Sequence, residues 1–482
     1  MKKILLLLFV LFLYSDTFSQ YFDITYSTQE SSQTFDIKTD KFGNFIVLGR
    51  YIEASTSKKK PFIYKINSDG ELVDSVRFFQ SVNNDFKVGS INIFDNYYIF
   101  VVFRGQEDHS GTGPNNKSLV FIKTNTSLDI IDSTSYNFLD GNLPFFYRTK
   151  VDNDFNLITV GSYDLISAHR GAFIIKMSLG GVLLNNSIFP PDNDGLHIFS
   201  DFLVDTNYYY VFTNNYQTIR LLSFDYNLNI VDTNRVSNMV WAEDASYGIL
   251  DGDNYYATTN QSSNPAAVYT IAKSSIEGNV SDSLMFGVAD SCNHNAFMKP
   301  FCKVGGYLYY FGVPYKDCYW PNYYPSKLHL IKMDTNMNII WQKFYHGNEF
   351  IFPTSIIQTN DGGLLLMSSL STTPNFPMNL NVHLMKIDID GNTVDISTNM
   401  HNELAYSVYP NPAKDKLNIS LLSENSNIAE LRIYDVQGRQ VLQKTINTKE
   451  SEIDVSSFSD GLYIIKVTSN TGYEFFRKFV KQ

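Results

Sequence analysis

Phe62-Ile-Tyr-Lys65-Ile-Asn-Ser-Asp-Gly70 is an apolar strand that ends on a lysine and runs into a turn of Asn, Ser, Asp and Gly. The unit returns as Val120-Phe-Ile-Lys123-Thr-Asn125 and Phe173-Ile-Ile-Lys176-Met-Ser178, then as Arg220-Leu-Leu-Ser223-Phe-Asp225, where the lysine is lost. Tyr269-Thr-Ile-Ala-Lys273, His329-Leu-Ile-Lys332-Met-Asp334 and His383-Leu-Met-Lys386-Ile-Asp388 complete the set. The marker falls at 65, 123, 176, 223, 273, 332 and 386, so successive copies stand 47 to 59 residues apart. Each copy is third in a group of four strand-like runs. The first group is Thr34–Thr39, Asn44–Tyr51, Pro61–Ile66 and Glu71–Phe79; the last is Ser355–Thr359, Leu364–Ser368, Val382–Ile387 and Thr393–Ile396. Four strands in a period near ~50 residues predict an all-β fold, a β-propeller over residues 20–396. Seven copies predict seven blades, with six or eight open to a misread end. An array of β-sandwiches would also give short strands, but not a repeated four-strand unit.

In such a blade the first-to-second and third-to-fourth turns share one face of the ring. The other connections share the opposite face. The first set is short: Asp95-Asn96, Asp152-Asn-Asp154, Asp205-Thr-Asn207, Gly305-Gly306 and Asp361-Gly-Gly363, residues that tolerate positive φ. The second set is longer: Tyr51–Lys60, Arg104–Lys117, Ser162–Gly171, Val313–Ser326 and Leu370–Asn381. Long loops on a rigid scaffold are where binding residues gather. Tyr319, Trp320, Tyr323 and Tyr324 make the most aromatic of these loops, suited to stacking on a sugar or gripping a peptide. The plainer reading is that they fold on one another to order the loop. His109 and His169 fall in two further loops of that face and join the candidate ligand-binding set.

The remaining composition narrows the possibilities. With 37 Phe, 32 Tyr and only 3 Trp, the chain favours strands. Its formal charge of −11 supplies no basic face for a nucleic acid. The run Lys58-Lys59-Lys60 reads as a solvated loop. At the N-terminus, Lys2 and Lys3 precede the apolar stretch Ile4–Tyr14, with Thr17 and Ser19 at the −3 and −1 positions of a cleavage site. Residues 1–19 therefore read as a signal peptide. That apolar run is too short for a transmembrane span of ~20 residues, and no later segment qualifies. Cys292, Cys302 and Cys318 fit one disulfide with one thiol left over, without fixing which. A zinc site with His294 lacks the paired short spacings such sites use.

No His-Glu-x-x-His, Gly-x-Ser-x-Gly or phosphate-cradling glycine loop occurs. Catalysis has no positive support, and no cofactor, metal or catalytic residue is assigned. The eight histidines are scattered; several fall on the long-loop face, which leaves a composite metal site open there. His329 and His383 sit in the recurring third strand and read as structural. Asp388-Ile-Asp390-Gly391-Asn392 and Asp251-Gly-Asp253-Asn254 resemble the start of a calcium loop but lack its downstream Glu, so both read as turns.

After a polar linker, 397–405, the repeat gives way to seven short strands over 406–482, enough for a small β-sandwich. Its landmarks are Tyr409-Pro410-Asn411-Pro412, Tyr434-Asp435-Val-Gln-Gly438-Arg439, Gly461-Leu-Tyr463 and a basic end containing Lys478. Four motifs in this order resemble the C-terminal sorting domain of type IX secretion substrates, the type A family of the Bacteroidetes. The resemblance implies passage through the type IX machinery as a partner, and an end point in the medium or on the outer cell surface. The leading expectation is an exported propeller that binds or adheres to a glycan or protein. A hydrolase of polysaccharide or peptide, with acids and histidines converging on the long-loop face, is the alternative, and a structural envelope component the third.

Overall fold

The computed structural model describes residues 21–27, 30–79, 84–105, 118–137, 144–164, 170–189, 198–214, 219–237, 247–252, 254–261, 268–275, 280–288, 291–315, 326–371, 379–393, 406–421, 428–445, 450–469 and 474–482. They form two compact units, Met1–Asp23 with Glu30–Asp395, and Ile396–Gln482 with Ile24–Gln29. That division cuts the first strand, β1 (Phe22–Tyr26), which by its hydrogen bonds belongs to a sheet of the first unit.

Five four-stranded antiparallel sheets follow β1 in simple up-and-down order. Blade 1 is β2 (Ser32–Thr39), β3 (Phe45–Ile52), β4 (Lys59–Ile66) and β5 (Leu72–Arg77). Blade 2 is β6 (Asp85–Ile93), β7 (Tyr97–Gly105), β8 (Ser118–Asn125) and β9 (Ile130–Tyr136). Blade 3 is β10 (Pro144–Val151), β11 (Asn156–Asp164), β12 (Arg170–Ser178) and β13 (Leu183–Phe189). Blade 4 is β14 (Ile198–Val204), β15 (Tyr209–Asn214), β16 (Ile219–Phe224) and β17 (Ile230–Ser237). Blade 5 is β18 (Tyr247–Asp251), β19 (Asn254–Gln261), β20 (Val268–Ser275) and β21 (Val280–Phe286).

The next seven strands join β1 in a single eight-stranded sheet. β22 (Cys292–Asn295) and β23 (Phe301–Val304) both pair with β24 (Tyr307–Tyr315), which pairs with β25 (Ser326–Asp334). β26 (Ile339–Gln358) serves two blades. Its first half pairs with β25 as the outer strand of blade 6; its second half, from Phe350, pairs with β27 (Leu364–Ser371) as the inner strand of blade 7. β28 (Asn381–Ile387) follows, and β1 takes the outermost place beside it. The inner strands meet in cyclic order, β26 touching β2. The unit is a seven-bladed β-propeller closed by its N-terminal strand. The expected outer strand Thr393–Ile396 is thereby corrected: β1 fills that position, and residues 394–405 lie outside the described ones.

Apolar clusters fill the wedges between blades, for example Phe35, Ile63, Phe78, Phe100 and Ile122 between blades 1 and 2. Each such side chain contributes about 1.5–3 kcal/mol by leaving water. Outer strands such as β5 and β9 are mostly exposed, whereas β27 is buried throughout.

The recurring lysine has a defined partner. Lys65 of blade 1 donates to the Thr126 carbonyl in blade 2, and Lys176 of blade 3 to Tyr226 in blade 4. Lys273 of blade 5 donates to Thr335 in blade 6, and Lys332 of blade 6 to Ile389 in blade 7. Lys386 of blade 7 donates to Ser68 in blade 1. Every acceptor is the second residue of the third-to-fourth turn in the next blade. These turns share one geometry: the first Asp or Asn accepts the amides two and four residues on, as Asp334 does from Asn336 and Asn338. The fourth residue takes positive φ, at Gly70, Leu128, Leu228, Met337 and Gly391. Lys58-Lys59-Lys60 is not the solvated loop expected: Lys60 is fully buried over the Phe86 ring, and Lys58 pairs with Asp85 at 3.2 Å. Aromatic and acidic groups of blade 2 draw these stems in.

The second unit is a β-sandwich. One sheet holds β29 (Tyr406–Tyr409), β30 (Lys416–Leu421) and β33 (Glu450–Asp454). The other holds β31 (Ile428–Asp435), β32 (Gln440–Lys444), β34 (Gly461–Ser469) and β35 (Glu474–Lys481). Leu417 and Ile419, Leu431 and Ile433, and Tyr463, Ile465 and Val467 alternate inward to make its core.

Two outcomes follow for stability. Lys386, 1% exposed, also pairs with Asp361. Lys386→Met strands that carboxylate and the Ser68 carbonyl, so denaturant titration of the propeller should show a loss of about 2–3 kcal/mol. Phe155 holds φ +58 on an exposed turn. Phe155→Gly removes the left-handed penalty and should raise stability by about 1 kcal/mol in the same assay.

Candidate functional site at the ring seam

Where the propeller closes, three ionisable side chains converge. Ser368 on β27 stands opposite His383 on β28, next to β1, which carries Asp23. His383 Nε2 lies 2.7 Å from Asp23 Oδ1, and Ser368 Oγ lies 2.8 Å from His383 Nδ1. The other Asp23 oxygen is 3.2 Å from His346 Nε2. His346 sits where β26 passes from blade 6 to blade 7, at φ +63, a left-handed conformation that costs a non-glycine residue about 1–2 kcal/mol. The two imidazoles meet edge to face at 4.8 Å. One ligand atom from each of Asp23, His346 and His383 falls within 4.8 Å of the others. Glu349 Oε2 approaches His346 Nδ1 at 3.9 Å.

Burial alone would raise the Asp23 carboxyl, but the two imidazoles beside it, His346 at 3.2 Å and His383 in a hydrogen bond, hold it well below its ordinary range. His383 is lowered, chiefly because its burial disfavours the charged ring. The pattern fixes its protons: an ionised carboxylate only accepts, so Nε2–H donates to Asp23 and Nδ1 accepts from the Ser368 hydroxyl. For His346, burial pulls down, yet Asp23 and Glu349 outweigh it and raise the group. His346 Nε2 is buried and, despite its nearness to Asp23, makes no hydrogen bond of good geometry. Serine, histidine and aspartate here form no nucleophilic relay, because Ser368 and His383 are both 0% exposed and Oγ cannot meet a substrate. The cluster can hold a cation or fix the seam.

The cluster lies on the face of the long connections: His346 on an inter-blade link, His383 just after the link between β27 and β28. The structural reading of His383 captured its burial but not its partners. His109, His169, Tyr319, Trp320, Tyr323 and Tyr324 lie outside the described residues. So does Cys318; Cys292 is disulfide-bonded, and the free thiol is Cys302, buried. Disulfide bonding of Cys292 leaves no thiolate there for zinc.

In the sandwich, Asn411 Oδ1 accepts the Val480 amide at 2.9 Å, so the exposed segment Tyr409-Pro410-Asn411-Pro412 is tied to the last strand. Asp435 accepts the amides of Gln437 and Arg439 and pairs with the Arg439 guanidinium at 2.7 Å, around Gly438 at φ +77. Tyr463, preceded by Gly461 and Leu462, stacks on Phe479 and donates to the Ser459 carbonyl at 2.8 Å. Lys478 lies opposite Ile464 in the β34–β35 ladder. These motifs mark turns and the final ladder of one small domain.

Residues 407–482 match the family described as secretion system C-terminal sorting domain. Over 73 residues the chain is 41% identical to Beta-agarase D of Zobellia galactanivorans, a match covering 15% of this chain and 14% of that protein. The β-propeller domain of the Trilobed protease from Pyrococcus furiosus is similar at 10% identity, over 79% of this chain and 100% of that one, with a TM-score of 0.43. A protein of unknown function from Bacteroides caccae is similar at 11% identity, over 66% and 94%, with a TM-score of 0.35. Residues 407–482 are thus a sorting domain of type IX secretion, and the chain is exported to the cell surface or the medium. No helix among the described residues is long and apolar enough to cross a membrane.

His329, the other third-strand histidine, contrasts with the seam. It stacks on Phe344 at 4.3 Å, with Nε2 3.1 Å from Gln342 Oε1, and burial pushes it down to about 4. The unfolded chain binds this proton near 6.5, so the neutral ring stabilises the fold above that pH, and the contribution is lost as pH falls from 6.5 toward 4. The expected slope amounts to roughly 3 kcal/mol across that window. Chemical denaturation at stepped pH should show it, and His329→Phe should flatten it.

Proposed function

We propose that this exported propeller is a binding module whose ligand, a glycan or a protein, docks on the face of the long connections. The observation behind this reading is the asymmetry of the ring. The connections 106–117, 316–325 and 372–380 all leave from one face, whereas the opposite face carries tight turns such as Asp334–Asn338 and Asp152–Asn156. A closed ring fixes where those connections start and end, and long connections on a rigid scaffold are where binding residues gather. The aromatic group Tyr319, Trp320, Tyr323 and Tyr324, and the histidines His109 and His169, belong to three of that face's connections, which makes them the first residues to test.

In this reading residues 1–19 are a signal peptide, 20–396 the propeller, 397–405 a linker and 406–482 the sorting domain. The sorting domain assigns the type IX machinery as a partner and the surface or medium as the working compartment, where glycans and matrix proteins are available. Two steps test the proposal. Fractionation with and without a functional type IX translocon should move the protein from surface or medium to the periplasm. The propeller should then bind members of a glycan or envelope-protein array, with Trp320→Ala and Tyr323→Ala each weakening binding about tenfold or more. An array without binders, or binding untouched by both substitutions, overturns the loop-face assignment.

A further inference from the structure

The seam cluster carries an inference of its own, independent of the ligand. The structure assigns Asp23, His346 and His383 as a three-ligand site for a divalent zinc-like ion that staples the closing strand to blade 7. Two imidazole nitrogens and one carboxylate are the donor set that borderline transition ions take, and they differ from the all-oxygen sets of calcium and magnesium. The three ligand atoms already lie within 4.8 Å of one another. His346 Nε2 lies buried 3.2 Å from the second Asp23 oxygen without a hydrogen bond of good geometry, so an ion between the two would take up both atoms. Its ring is held there by a left-handed backbone at φ +63, a strained conformation of the kind that persists where the surroundings impose it.

The outer ring of contacts fits as well. Metal-bound histidines engage their second nitrogen with an oriented partner. His383 has Ser368 Oγ at 2.8 Å on Nδ1, while Glu349 Oε2, 3.9 Å from His346 Nδ1, places a carboxylate beside that ring without a hydrogen bond. An ion shared with Nε2 of His383 replaces the proton that this nitrogen now gives Asp23, and Ser368 must then turn to accept from Nδ1–H. A hydroxyl can do either. Three protein ligands leave a tetrahedral ion one further position. Asp23, at 27% side-chain exposure, and His346, at 17%, are the wetter members, while His383 is fully buried. The open position therefore faces solvent on the loop-bearing side, where water or a donor atom of a ligand completes the shell. The ion would link β1, β26 and β28, strands that meet where the first strand of the ring closes on the last.

The test uses the full mature chain, stripped with chelator and dialysed against buffered zinc. The expected result is one zinc per chain by elemental analysis, with a rise in Tm on zinc addition. Asp23→Asn and His346→Gln should each weaken zinc binding at least about a hundredfold and abolish the Tm rise, while their chelated forms still melt cooperatively like the chelated parent. Ser368→Ala, which touches no ion, should cost about ten- to a hundredfold. Cobalt substitution should give a visible ligand-field spectrum without thiolate charge transfer, since no cysteine is assigned to the site. Absence of zinc from the parent overturns the assignment. So does equal zinc retention by His346→Gln, or a cobalt spectrum dominated by thiolate, which would move the ion to Cys302.

Discussion

A buried ammonium reaching from one blade into the turn of the next is the contact on which the ring depends. Burying a lysine costs several kcal/mol unless its protons find acceptors. In blades 1, 3, 5, 6 and 7 the acceptor is a carbonyl that exists in the right place only when the following turn has closed and the following blade has docked. Aromatic faces add to it: Lys176 lies over Tyr209 and Tyr226, and Lys332 over Tyr309 and Trp341. Hydrophobic wedges supply most of the attraction between blades but are tolerant of small rotations. The lysine contact is directional, and in these five blades it fixes the angle to the next one. Blade 4, where Ser223 replaces the lysine, relies on its wedge packing, with Phe212 and Tyr255 in contact at 5.4 Å.

The repeat was legible because this contact leaves a mark within a few consecutive residues: an apolar run, a lysine and a turn residue. The turn also writes itself locally, since an Asp or Asn that caps its own amides needs only its next four neighbours. Seven blades and a terminal sandwich could therefore be read from pattern alone. The closing strand could not. Phe22–Tyr26 alternates apolar and polar like a strand, but nothing in its five residues says that it pairs with a segment at the far end of the domain. Its partner residue His383 is 360 positions away from Asp23. Counting four strands forward from residue 355 put the last strand at Thr393–Ile396, the natural choice for a reader moving in one direction along the chain.

The seam cluster was hidden for the same reason. His346 and His383 were visible as histidines of the last two blades, but a site assembled from three segments has no spacing rule. The available clue was an unspent strand-like segment ahead of the first complete group, carrying an acid, in a protein whose last group ended weakly. Lys58-Lys59-Lys60 teaches the reverse lesson. A charge run reads as solvated until a neighbouring element offers Asp85 and Phe86 to receive it. In the sorting domain each landmark is local, a turn or a short ladder, and its order along the chain survives as a readable signature.

Closure by the first strand also imposes a timetable. A chain made from its N-terminus delivers β1 first and β28 last among the strands of the propeller. Until β28 arrives, the outer edge of blade 7 does not exist and β1 has nothing to zip against. Intermediate blades can assemble in sequence, but the hoop stays unlatched while any part of it is still to come. Two strands from opposite ends of the domain thus complete the hoop in one pairing, so that the ring latches only once the whole of it has been made.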